Sequence, residues 1–272
     1  MSRVIHKLKI LKTIDTNMKK VLEEDTLKLV SLNIELAKHL DLVRAFLEKE
    51  KPDIACLQEV HEADLKDFSK ELEMEAAFGP MSLIGRGLEY TKPPFTPYGV
   101  GILSALPFQT VQLMYYRGDE ERAKKHVFDG TSRDAPHILL HVNVKKGSAS
   151  FTIGTTHFMW TPDGNANDLQ RRDLRSLFAI LRQIPDIVLC GDFNAPRGKE
   201  IFNAIAERYK DNIPEHYTAS IDVDLHRWGD RLRGEPLMVD GLFTTPQYRC
   251  SNVHLVGGVS DHLAIVAEVR RN

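Results

Sequence analysis

The feature that most limits what this chain can fold into is a repeated junction, in which an apolar, strand-like run gives way to a polar residue of catalytic type. Asn33 follows Leu29, Val30, Ser31 and Leu32, and Gln58 and Glu59 follow Ile54, Ala55, Cys56 and Leu57. His157 ends the run 151–156, Asp192 and Asn194 close the run 187–191, Asp240 ends the run 237–239, and Ser260, Asp261 and His262 open the last one. Short apolar runs of this kind read as buried strands. In a sheet protein, strand ends can share one rim, where rigid elements hold side chains in a fixed geometry.

Between these runs lie helices. Leu36, Leu40, Val43 and Leu47 recur at near-helical spacing, Leu65, Phe68 and Leu72 mark a second helix, and residues 166–183 carry Leu174, Leu177, Phe178, Leu181 and Ile184 on one face. Further strands are expected at 98–104, 110–116, 137–144, 237–243 and 263–269. No repeat or linker-like shift divides the chain, so the reading is a single α+β domain over 27–272 behind a leader segment, 1–26. The leader threads charges through its apolar residues and lacks a signal-peptide core. It reads as a solvated segment packed on the domain, or as a basic amphipathic segment against an acidic surface. No apolar stretch approaches the ~20 residues that span a bilayer. Cys56, Cys190 and Cys250 have no paired spacing and read as free thiols of a reducing compartment. A cytoplasmic monomer without membrane insertion is therefore expected.

Taken singly, each polar junction has a plain explanation. Asn33 suits a helix cap, Gly191 to Asn194 suit a turn, and Asp240-Gly241 is a common turn pair. Their joint order is harder to explain that way, and here the chain resembles the endonuclease/exonuclease/phosphatase family, the DNase I-like fold. The matching segments are 31–33, 57–60, 99–104, 156–158, 191–194, 239–240 and 260–262. The resemblance implies a four-layer α/β/β/α sandwich and a metal-dependent phosphoric ester hydrolase. It also implies a Mg²⁺ or Mn²⁺ site with Glu59 as main ligand, Asn33 nearby and Asp261 as a further ligand; hard oxygen donors suit those ions better than zinc.

The residues support such chemistry on their own terms. Hydrolysis of a phosphodiester needs an aligned water, a stabiliser of growing negative charge and relief for the leaving oxygen. Asp192 and Asn194, two apart on an extended segment, can face one side. His262 suits a base or a phosphate-contacting cation, with Asp240 holding its ring, and the inclination is toward His262 as base. His157 reads as a second donor to non-bridging oxygens. Serine hydrolysis through Ser260 lacks the Gly-x-Ser-x-Gly elbow, and a silent phosphate-binding module would not keep every one of these groups.

For the substrate the chain offers less. Trp160 lies just beyond His157, Arg171 and Arg172 open a helix, and Arg227, Trp228, Arg231 and Arg233 fall in one basic, aromatic stretch beginning at His226. These, with Arg133, are the candidates for gripping a phosphate backbone or stacking on a base. Lys and Arg total 36 against 38 Asp and Glu, which weakens any picture of tight, non-specific DNA binding but leaves room for a local basic groove. A nuclease or phosphodiesterase acting on nucleic acid is the first expectation, and a phosphorylated small molecule or lipid headgroup the second.

Overall fold

Residues 24–86, 90–130 and 133–272 are described by a computed structural model. The strands are β1 (Leu27–Asn33), β2 (Ile54–His61), β3 (Glu75–Gly85), β4 (Phe95–Ser104), β5 (Phe108–Arg117), β6 (His137–Lys146), β7 (Ala149–His157), β8 (Val188–Asp192), β9 (Lys210–Asp211), β10 (Asp240–Thr244), β11 (Tyr248–Val256) and β12 (Ala264–Arg271). The helices are α1 (Leu40–Glu50), α2 (Glu62–Glu71), α3 (Glu120–Ala123), α4 (Asp168–Leu181), α5 (Glu200–Ala206) and α6 (Gly229–Leu232).

Two six-stranded sheets form, in the orders β11-β12-β1-β2-β4-β3 and β5-β6-β7-β8-β10-β9. Alternation along each strand sorts the apolar residues between layers. Leu29, Ile54, Cys56, Ile153, Val188 and Cys190 join the core between the sheets. Their neighbours Val30 and Ala55 meet Val43, Phe46 and Leu47 of α1 and Leu65 and Phe68 of α2 on one outer face. Leu189 and Phe243 meet Leu174, Leu177 and Phe178 of α4 and Phe202 of α5 on the other. The molecule is thus an α+β sandwich, helices outside and sheets within.

Pairing direction places the polar junctions. β1 runs parallel to β2 with Asn33 opposite Gln58, and β7 runs parallel to β8 with His157 opposite Asp192. β10 runs antiparallel to β8 with Asp240 opposite Asp192, so Asp240 opens its strand rather than ending one. β12 is antiparallel to β1, with Ser31 opposite Ile265, which brings the segment before it to the Asn33 end. Ser260, Asp261 and His262 precede β12 in an irregular segment, where an isolated bridge pairs Ile221 with His262.

Several expectations need correction. Leu36 lies before α1, in a turn where Glu35 and Leu36 take positive φ of 48° and 61°. β3, β11 and α5 were not anticipated. The two strands are sheet edges: β3 contains Gly79 and Pro80, and β11 is mostly half exposed, so neither shows a clean apolar run. The leader reading falls largely on residues 1–23, outside the described residues. The junction that follows is anchored: Asp25 accepts from the Ser148 backbone N–H (2.6 Å) and hydroxyl (2.8 Å) at the β6–β7 turn. Among the described residues no helix is long and apolar enough to cross a membrane.

Gly191 shows how tightly the rim is made. Its φ is +142°, and a Cβ there would lie 2.1 Å from the Thr156 carbonyl oxygen. Gly191→Ala is expected to lower stability by about 2–4 kcal/mol through strain and clash, read as a shift in urea midpoint without a change in slope.

Candidate active site

At the rim, β2 departs from regular pairing. Its register against β4 shifts between Leu57 and Val60, and Glu59 takes a φ of 53°. Gln58 keeps the inward direction and is fully buried, its amide donating across to Thr155 Oγ1 of the other sheet at 2.9 Å. Alternation alone would send Glu59 toward the α-helical layer, as it sends Leu57. The bulge instead re-aims it at the rim.

Asn33 then joins the two sheets, its Nδ2 donating to Glu59 Oε1 (3.2 Å) and Asp192 Oδ2 (3.1 Å). Its Oδ1 accepts from the Glu35 N–H at 3.1 Å. Asp192 Oδ2 is the hub of the cluster, 3.5 Å from His157 Nε2 and 3.9 Å from His262 Nε2. The other oxygen, Oδ1, accepts from the Asn194 N–H at 2.7 Å. His262 Nδ1 meets Asp240 Oδ2 at 2.7 Å, and the Asp240 N–H donates to Ser220 Oγ at 3.1 Å. Asp261 is buried, its Oδ2 3.9 Å from His226 Nε2.

The hydrogen bonds also assign the His157 tautomer. Asn194 Nδ2 donates to the Phe158 carbonyl at 2.9 Å, which fixes the amide's orientation, and the same nitrogen lies 3.0 Å from His157 Nε2. That ring nitrogen must accept, so the ring proton sits on Nδ1, facing Tyr98 Oη at 3.2 Å. The expected donation from His157 to a phosphate oxygen therefore needs a ring protonated on both nitrogens.

Charge is crowded here. Burial, then Asp240, pushes the Asp192 carboxyl above its ordinary range. Burial also raises Asp261 to about 7, with Glu35 and Glu59 adding to it and His262 opposing. For His262, burial disfavours the charged ring, but Asp240 first and then Asp192 and Asp261 outweigh it and hold the ring well above its usual value. Carboxylates that repel one another around hard oxygen donors fit a divalent cation. Asp192, Asp240 and His262 bring ligand-type atoms within 4.8 Å of one another and could hold one. However, the 2.7 Å bond between Asp240 and His262 already engages two of them, and Glu59, its side chain 26% exposed, is a more open oxygen donor beside them.

The structure thus brings together Asn33, Glu59, His157, Asp192, Asn194, Asp240, Asp261 and His262. Trp160 and Trp228 are both about half exposed, at 53% and 50%, on loops that leave the site. Arg133 has an exposed side chain, and its carbonyl accepts from the Arg117 guanidinium, Nη1, at 3.1 Å. That guanidinium turns toward Met159 and the buried Asp173 rather than the carboxylate cluster. Arg231 is exposed in α6 and touches none of the clustered residues. Tyr98 and Ser220 were missed, and His226 was named only as the start of the basic, aromatic stretch. Only Tyr98 carried a signal, as an aromatic opening the run 98–104; Ser220 acts from 20 residues away.

The sequence pattern of the Endonuclease/Exonuclease/phosphatase family matches residues 30–262. No curated protein matches the sequence. Among solved structures, an endonuclease/exonuclease/phosphatase from Bacteroides vulgatus is similar at 16% identity and TM-score 0.67, over 91% of this chain and 99% of that one. D. rerio TDP2 complexed with a single strand DNA product is similar at 15% identity and TM-score 0.63, over 90% and 99%. A mannosyl-6-phosphatase from Bacteroides thetaiotaomicron is similar at 13% identity and TM-score 0.62, over 89% and 99%.

In chelator, the raised Asp261 has a defined consequence. Its folded value of about 7 exceeds the unfolded ~3.9, so the associated stability is present below about pH 4 and lost as pH rises through 7. The thermal midpoint of the metal-free protein is expected to fall across that window, less steeply for Asp261→Asn and less steeply with Mg²⁺ or Mn²⁺ added. Parallel curves for the two proteins would contradict this.

Proposed function

The chain belongs to the Endonuclease/Exonuclease/phosphatase family, whose fold is that of a phosphoester hydrolase, and from this premise we propose a divalent-metal-dependent phosphodiesterase that cuts nucleic acid by in-line attack of water. The observation that carries the reading is the convergence of Asn33, His157 and His262 on one oxygen, Asp192 Oδ2, with Glu59 beside it.

Glu59, Asn33 and Asp261 are the residues to hold Mg²⁺ or Mn²⁺, which when bound supplies positive charge to the phosphate oxygens. Asp192 Oδ2 takes the proton of the attacking water, its carboxylate oriented by the Asn194 N–H. His262, held by Asp240, stands as a cation whose Nε2–H donates to a phosphate oxygen. This reverses the inclination toward His262 as base, because three carboxylates favour its protonated form. The Asn194 amide and Tyr98 hold His157 between them. A cytoplasmic monomer is part of this reading, and the three unpaired thiols support its reducing setting.

A second reading, a phosphorylated small molecule or lipid headgroup, is favoured by one observation. Arg171 is engaged with Glu200 at 2.7 Å and Arg233 with Asp224 at 2.9 Å, so less basic surface is open to a polyanion than the sequence promises.

A hydrolysis panel of duplex DNA, abasic-site DNA, single-stranded RNA, a chromogenic phosphodiester and phospholipid, with and without chelator, tests the proposal. Cleavage is expected to need the cation. Glu59→Ala and His262→Ala are each expected to lower kcat/KM by about a thousandfold or more while circular dichroism stays unchanged. Near-normal turnover by either folded variant would remove that residue from the mechanism.

A further inference from the structure

The loop 222–236 is held from below. The Asp222 N–H donates to the Asp261 carbonyl (2.8 Å) and the Leu263 N–H to the Ser220 carbonyl (2.7 Å), on either side of the Ile221–His262 bridge. The Asp222 carboxylate accepts from Gly258 (2.6 Å) and Asp224 (3.1 Å) backbone N–H groups. Gly229 lies so close to the Val223 carbonyl that a Cβ would sit 1.7 Å from its oxygen. What this fixed loop carries faces the site. His226 Nε2 is 3.9 Å from Asp261 Oδ2, and its Nδ1 accepts the Trp228 N–H at 3.1 Å. The Arg227 guanidinium lies 4.1 Å from the Trp228 ring centroid.

An indole left half exposed forgoes much of the burial that such a ring normally gains. Both tryptophans of the chain are in that state, and both stand on loops leaving the carboxylate cluster, Trp160 three residues after His157 and Trp228 two after His226. The charges around them narrow the ligand. Arg171 and Arg233 are ion-paired, Lys38 is paired with Glu35, and Arg172 lies 3.9 Å from Asp173. Among the described residues, Arg227 and Arg231 have no carboxylate partner. Gripping a duplex by its backbone takes several phosphate contacts, which this mouth does not offer. A π-face flanked by one guanidinium suits a base that is free to leave its stack, and duplex bases are not.

We propose that Trp228, backed by Arg227, is a stacking platform for a nucleobase next to the scissile phosphate, and that the substrate is an unpaired strand. This rests on the phosphodiesterase reading. The test compares hexathymidylate with a hexamer of tetrahydrofuran abasic residues, each cut by wild type, Trp228→Ala and Trp228→Phe in Mg²⁺ or Mn²⁺. Trp228→Ala is expected to raise KM for hexathymidylate about tenfold with kcat little changed, to leave KM for the abasic hexamer within about twofold, and to be largely rescued by Trp228→Phe. Annealing hexathymidylate to hexadeoxyadenylate, in the cold and at high salt, is expected to raise the wild-type KM. Equal effects of Trp228→Ala on both hexamers, or none on either, would overturn the platform, and so would preference for the duplex. Absence of chelator-sensitive cleavage of any oligomer by wild type would instead defeat the phosphodiesterase reading itself.

Discussion

Asn33 Nδ2 lies 3.2 Å from a carboxylate oxygen of one sheet and 3.1 Å from one of the other, and the rest of the rim is arranged around that fork. Glu59 and Asp192 would repel if left alone in a partly buried place. A single amide can bridge them only if the sheets meet at a fixed distance and offset. That offset comes from the core between the sheets, where Cys56, Val100, Ile153 and Cys190 pack together, and from the Gln58 to Thr155 bond directly below the rim. Apolar packing therefore sets the spacing, and the polar groups accept it.

Much of this was legible in the chain because strand ends are easy to find. An apolar run stops where its side chains meet solvent or a site, so Asn33, His157, Asp192 and Asp240 announced themselves by position. The α4 helix was legible for the same reason, through its apolar face. What stayed hidden depends on partners distant in sequence. The Glu59 bulge exists only against β4, and β3 and β11 owe their pairing to neighbours rather than to their own composition. The arginines misled most. Composition counts Arg171 and Arg233 as basic surface, whereas Glu200 and Asp224 neutralise them in the fold. Arg133 is exposed and, among the described residues, only its backbone carbonyl enters a hydrogen bond, with Arg117.

The rim is also a place where stability and chemistry disagree. Buried carboxylates raised above their ordinary range weaken the fold when ionised. The left-handed backbone of Glu59 and Asn194, with φ of 53° and 49°, adds to that burden. Such groups persist where the surroundings overdetermine them, and here parallel pairs on both sheets do so. The same crowding favours the charged form of His262, while Asp192 accepts from the Asn33 amide and the Asn194 backbone N–H.

The Ile221–His262 bridge has an evolutionary corollary. Because the segment around Ile221 is stitched to the backbone of His262, and Ser220 ties its far side to Val239 and Asp240, the chain between Val223 and Glu235 begins and ends on anchors outside itself. Such a span can be lengthened, shortened or replaced between descendants while the reactive groups keep their register. New specificities can then arise by exchanging this one cassette, provided the contact of His226 with Asp261 is kept or replaced.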